Sequence, residues 1–318
     1  MRFQPTTALA YAASKLREDL AYPRLLVRDL NRAYYLLRHR QAYNTRGVDI
    51  FDQDWDNLVI LDACRYDVFA HRADLPGELE RKQSRGSMTS QFLRANFDGR
   101  DLRNTVYVTA SPMLRQNRKQ NKVDARLHAT INIWNSDGWD DDLQTVPPAA
   151  TAAAAKDAAE QYPNKRLLVH FMQPHVPFVG SDTELGETFD WGENGTGFWR
   201  EWVIRDLGIS DEILRQAYAE NLDYVLPHVK KLLASLGGRT VVTADHGNML
   251  GERAFPVPIH GYGHPFGVYT EELVAVPWLT VENGPRRRIV TGEGQQPDLQ
   301  ASDPDVTSER LRQLGYAD

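Results

Sequence analysis

Asp245 and His246 stand directly after the apolar, β-branched run Val241-Val-Thr-Ala244, and Gly247 follows them. A carboxylate beside an imidazole offers oxygen and nitrogen donors of the kind that Zn²⁺ or Mn²⁺ accepts. Such an ion can polarise a phosphoryl or sulfuryl oxygen and lower the pKa of a hydroxyl bound to it. The arrangement recurs. Asp62 follows Leu58-Val-Ile-Leu61, and His175 follows the run Arg166 to Met172, within Gln173-Pro-His-Val-Pro177. In open α/β sheets ligands bind just beyond the carboxyl ends of the strands. Three apolar runs that each end in a donor therefore predict one shared edge. Gly247 is expected to let the backbone turn close to an ion. Taken singly, each stretch also reads as an ordinary capped turn.

Covalent chemistry at such an edge wants a hydroxyl at a helix start, where free N–H groups can hold a transferring anion. Gly86-Ser87-Met88-Thr89-Ser90-Gln91-Phe92-Leu93 offers one. Thr89 or Ser90 is expected at the N-cap of a helix through Phe97, with Ser87 as runner-up for the nucleophile. Plain Ser/Thr capping is the alternative. His260, in His260-Gly-Tyr-Gly-His264, could ligate a second ion, steady His264 or cap a surface loop. Trp134, Trp139 and Trp191 could wall a substrate or pack in the core or a cap. Cys64 is the single cysteine, which excludes an internal disulfide and a cysteine-cluster zinc site.

The elements that must position these groups alternate. Strands are expected at 58–61, 105–109, 166–172, 240–243 and 276–281. Between them lie an alanine-rich helix opened by Pro147-Pro148 and a long helix capped by Ser210, kinked at Pro227 and closed by Gly237-Gly238. A short helix is expected near 308–314. This order predicts an α/β fold, doubly wound, with a mostly parallel central sheet and helices on both faces. It spans 48–318, and the aromatic insert at 180–207 is expected to cap the sheet edge. Residues 1–47 form a basic amphipathic helical arm broken at Pro23, with Leu16, Leu20, Leu25, Leu26, Leu30, Tyr34 and Leu37 at helical spacing.

The chain of 318 residues carries a net charge of -6, which argues against a dedicated nucleic-acid binder. The arm holds nine Lys/Arg against three Asp/Glu, so the remainder is more acidic still. Its basic face either packs on the domain or, through residues 1–46, makes peripheral contact with an anionic membrane. No run of about 18 apolar residues is present, and the first residues lack the pattern of a signal peptide, which predicts a cytoplasmic compartment.

Taken in order, Leu58 to Asp67, Ser84 to Phe92, Val169 to Phe178, Thr243 to Asn248 and His264 to Pro277 resemble the alkaline-phosphatase-like superfamily in its sulfatase-like branch. The resemblance covers most of the chain from Asn57 to Val281. It implies that Asp62, Thr89, Asp245 and His246 share a divalent ion, Zn or Mn, with one or two ions per chain. It places His175 at the substrate phosphate or a second ion, and makes His264 the late metal-site histidine. Arg65 and Asp67 match a local pair of that family. The Cys-x-Pro-Ser-Arg motif that sulfatases convert to formylglycine is missing, and Cys64 reads as a small buried residue. The resemblance therefore implies a hydrolase of phosphate mono- or diesters working through a phospho-threonine at Thr89, or a phosphotransferase to an acceptor hydroxyl. The alternatives are a sulfuric ester hydrolase without formylglycine and a non-catalytic metal-binding scaffold.

Overall fold

The computed structural model describes residues 22–38, 41–183, 185, 197–204, 209–292 and 304–316. The expectations for residues 1–21, for Trp191 and for much of the 180–207 insert lie outside them. Seven strands form the central sheet in the order β2 (Glu78–Gln83), β9 (Ala275–Asn283), β6 (Gly238–Thr243), β1 (Asn57–Leu61), β5 (Arg166–Phe171), β3 (Arg100–Thr109), β4 (Ala125–Asn132). From β6 to β4 all neighbours are parallel, and β9 runs antiparallel to both of its partners.

All five residues of β1 are buried, and its side chains alternate between the two faces. Val59 and Leu61 pack with Phe171 and Leu222, whereas Leu58 and Ile60 pack with Phe92 and Leu168. Each face is thus a core. The first is covered by α2 (Tyr66–Arg72), α5 (Pro148–Gln161) and α7 (Asp211–Ser235). The second is covered by α3 (Thr89–Phe97) and α4 (Met113–Lys119). This double covering explains why the central strands read as continuous apolar runs.

The Ser210 hydroxyl accepts from the Ile213 N–H and caps α7. Pro227 lies inside that helix without ending it, because α7 runs on to Ser235. Before it, α6 (Phe198–Ile204) brings Phe198, Trp199 and Trp202 onto Val176, Phe178 and Tyr218, the described part of the expected cap. After it, β7 (Met249–Arg253) and β8 (His260–Gly263) form a separate hairpin, followed by α8 (Glu271–Val274) and later by α9 (Pro304–Gln313).

α1 (Pro23–Arg38) begins at the proline that marks the break in the arm. Asn31 exchanges two hydrogen bonds with the Val257 backbone, at 2.8 and 2.9 Å, and Tyr34 meets Phe255 edge-on. The arm is thereby docked on the hairpin loop. Of the apolar positions expected to form its buried stripe, Leu25 is buried but Leu30 and Leu37 are exposed, while Asn31 is buried. Paired hydrogen bonding, not apolar area alone, sets which side faces inward.

Candidate active site

β6, β1 and β5 are adjacent, so the residues that follow them emerge side by side. Asp62, Asp245 and His246 are fully buried, and one donor atom from each lies within 4.8 Å of the others. His246 Nε2 is 3.7 Å from Asp62 Oδ1 and 3.4 Å from Asp245 Oδ2. Its Nδ1 faces the Gly247 carbonyl at 2.7 Å. A carbonyl only accepts, so in the neutral ring Nδ1 carries the proton and Nε2 turns a lone pair toward the carboxylates.

Thr89 Oγ1 lies 3.2 Å from His246 Nε2 and 3.4 Å from Asp62 Oδ2. His175 Nδ1 faces the Val176 carbonyl at 2.9 Å, and its Nε2 meets His264 Nε2 at 2.9 Å. The His264 ring in turn lies 4.7 Å from that of His246. All six residues expected at the site from the sequence are therefore gathered in one place.

The donor set fits a divalent ion. Asp62 Oδ1 and Asp245 Oδ2 are buried and receive no hydrogen bond. Anionic oxygens withdrawn from water and left without donors are costly. Two such oxygens and an imidazole lone pair directed at one another's neighbourhood form the mixed O,N set that Zn²⁺ or Mn²⁺ takes. Burial raises the pKa of Asp245, and the negative charge of Asp62 pushes it further in the same direction. For Asp62 burial also acts upward, but His170, His175 and His246 outweigh it and hold its carboxyl below the usual range. Burial drives His175 down and, helped by His246 and His175, drives His264 well down, so both rings favour the neutral form.

The loops that carry these groups are tied from behind. Ala63 adopts φ +59°, a left-handed conformation that a non-glycine residue rarely takes. Its N–H donates to Asp245 Oδ1 at 3.0 Å and its carbonyl accepts from Tyr218 Oη at 2.6 Å, which keeps the turn in place. Asn221 Nδ2 donates to the carbonyls of Pro174, His175 and Pro177 at 3.0 to 3.3 Å. At Gly247 a Cβ would come within 2.0 Å of the Glu272 carbonyl oxygen, so close backbone packing requires glycine there.

The helix start also differs by a residue. Met88 is the N-cap of α3 and Thr89 its first helical residue. Ser87 Oγ donates to Pro265 O and accepts from Gly267 N, and Ser90 Oγ donates to Asn117 Oδ1. His260 pairs with Asp211 at 3.0 Å on the hairpin, apart from the buried cluster. Trp134 and Trp139 belong to the core. Cys64 is buried, and Arg65 forks onto Asp67 at 2.9 and 2.7 Å, as expected of a local pair.

Two residues enter that the sequence did not single out. His170, inside β5, places Nε2 3.2 Å from Asp62 Oδ2 and meets Tyr107 Oη at 2.7 Å through Nδ1. Burial lowers its pKa, yet Asp62 and Asp245 overcome this and raise it. Tyr316 donates to Asp62 Oδ2 at 2.5 Å, lies 3.5 Å from Thr89 Oγ1 and stacks on His175. A histidine interrupting an apolar strand was a usable signal; an isolated tyrosine in a polar tail was none.

No family model matches the chain, and no curated protein matches it. Solved structures do. The integral membrane lipooligosaccharide phosphoethanolamine transferase A from Neisseria meningitidis is 14% identical over 71% of this chain, with a TM-score of 0.45. This chain spans 47% of that one, about half its length. The periplasmic domain of EptC from Escherichia coli, in complex with Zn, is 13% identical over 71% of this chain and 72% of its own, with a TM-score of 0.46. The phosphonate monoester hydrolase from Silicibacter pomeroyi is 13% identical over 81% and 72%, with a TM-score of 0.37. All three belong to the alkaline-phosphatase-like superfamily.

Proposed function

We propose that this chain is a divalent-metal-dependent enzyme acting on phosphate mono- or diesters through a covalent phospho-threonine at Thr89. One observation carries the reading. Within Gly86–Ser90, Thr89 alone turns its hydroxyl to the buried Asp62, Asp245 and His246 cluster, while Ser87 and Ser90 are hydrogen-bonded elsewhere. Asp62, Asp245 and His246, with His264 beside them, would hold Zn²⁺ or Mn²⁺, whose charge polarises a phosphoryl oxygen and favours the alkoxide of a nearby hydroxyl.

The chain's own groups do the rest. Thr89 opens α3, where backbone N–H groups without helical partners attract an anionic substrate. Its oxygen attacks phosphorus in line. An O–P bond to threonine forms as the Thr89 hydroxyl gives up its proton, the bond to the substrate alcohol breaks, and a proton relayed through water completes the departing alcohol. His175 turns its Nδ1–H to the Val176 carbonyl and its Nε2 to His264 Nε2, so the two rings, kept neutral by burial, fix each other beside the reacting atoms. Water, or an acceptor hydroxyl in a transferase, then takes the phosphoryl group and restores Thr89.

Turnover of aryl phosphate, bis-aryl phosphate and aryl sulfate with added Mn²⁺ or Zn²⁺ tests the reading. Thr89→Ala should lower phosphoester turnover by roughly a thousand-fold or more, whereas Ser87→Ala and Ser90→Ala should remain active. Turnover confined to aryl sulfate, or a fully active Thr89→Ala protein, would overturn it.

A further inference from the structure

We infer that the cavity opening beside Thr89 binds a second anionic group of the substrate, so that the preferred phosphoester also carries another phosphate or a carboxylate. This inference rests on the phosphoesterase reading for the reacting end of the substrate. The cavity has a volume of about 390 Å³ and reaches the site at His264 and Tyr316. That volume is within the range of small-ligand pockets. Arg28, Arg32, Arg94, Lys122 and Arg200 line it, and among the described residues its lining includes no Asp or Glu. Arg28 is paired with Asp29 at 3.6 Å, yet in a chain with 43 acidic against 37 basic residues five cations around one cavity are a local concentration of one sign. Cations gathered around a concave wall repel one another until an anion enters, and the field they create draws anions in.

Arg32 adds a second observation. Its Nε–H is buried without a hydrogen-bond partner, and its guanidinium lies 6.0 Å over the Phe266 ring. A guanidinium held on an aromatic face with an unspent donor matches the planar, bidentate recognition of carboxylate and phosphate. Arg28 and Arg32 belong to α1, outside the segments that resemble the superfamily. The docked arm therefore supplies two of the five charges, and substrate choice follows from a part of the chain that the reacting groups do not need.

The test compares phenyl phosphate with 1,4-phenylene bisphosphate. Calorimetric binding is measured on the metal-loaded Thr89→Ala protein, and turnover on the wild type. The bisphosphate should bind on the order of ten-fold more tightly, about 1.4 kcal/mol, and the ratio should shrink as salt rises. Arg94→Glu, on an exposed position of α3, should bring the ratio close to one and leave phenyl phosphate binding nearly unchanged. Arg32→Ala should do the same, with Arg32→Lys in between. Equal binding of the two compounds to Thr89→Ala, or a ratio that survives both Arg94→Glu and Arg32→Ala, would overturn the inference. If the wild type hydrolyses neither compound but the charge-dependent ratio persists, the phosphoesterase reading fails while the anion site stands.

Discussion

Tyr316 and Thr89 present two hydroxyls to one oxygen, Asp62 Oδ2, at 2.5 and 3.4 Å. Burial, then the charges of Asp62 and Asp245, push the Tyr316 hydroxyl well above its ordinary pKa, so it remains a donor. A metal ion and this hydroxyl must then compete for the carboxylate. Tyr316→Phe keeps a ring to stack on His175 and removes the donor. The metal-free variant should lose on the order of 1 kcal/mol of stability, and it should bind Mn²⁺ more tightly than the wild type. Melting curves and metal titration check both, and two unchanged values would refute the idea. At this scale Asp62, Asp245 and His246 were legible because a charged donor directly after a buried strand has no packing reason to be there. His170 interrupts the apolar strand that contains it, a signal that by itself does not give its partner. Its role appears only when register sets it beside Ile60 and Thr109, on the strands either side of β5.

α7 holds the site more than its distance in sequence suggests, since Tyr218 clamps the turn after Asp62 and Asn221 clamps the loop bearing His175. Asn221→Ala would leave three carbonyls without their shared donor. Equilibrium denaturation should report a loss of about 1–3 kcal/mol, with a fall in kcat as His175 loses its fixed position. A variant with wild-type stability and kcat would remove Asn221 from this role. The central strands β1, β5 and β6 were readable as unbroken apolar runs because helices cover both faces. β2 was not, because Glu-Leu-Glu-Arg-Lys-Gln at the margin of a sheet has no buried face to imprint a pattern. β4 buries Ala125, Leu127 and Ala129 in alternation, a period-2 signal too short and too small in its side chains to stand out. The start of α3 differed by one residue because Met88 supplies an extended N-cap without a capping side chain.

For the whole molecule, an ion held by the unpartnered oxygens of Asp62 and Asp245 would tie folding to ion binding. An ion present at a hundred times its dissociation constant would stabilise the folded chain by about 2.7 kcal/mol, or roughly 4 °C in Tm at this size. Chelation should remove that increment, and restoring Zn²⁺ or Mn²⁺ should return it. Asp245→Asn should melt alike with and without chelator. A wild-type Tm indifferent to chelation would argue that no ion is held there. The sheet itself ends at β2, which pairs with β9 along one side and is exposed along nearly all of its length. Along the other side the Gln83 carbonyl accepts from the Val48 N–H, and among the described residues no further strand pairs with β2 there. A second molecule extending the sheet there would have to bring its own strand against Glu78, Glu80, Arg81 and Lys82 and strip them of water, at a cost that ladder bonds do not repay. At β2 the margin of the sheet thus disfavours edge-to-edge pairing with a second molecule.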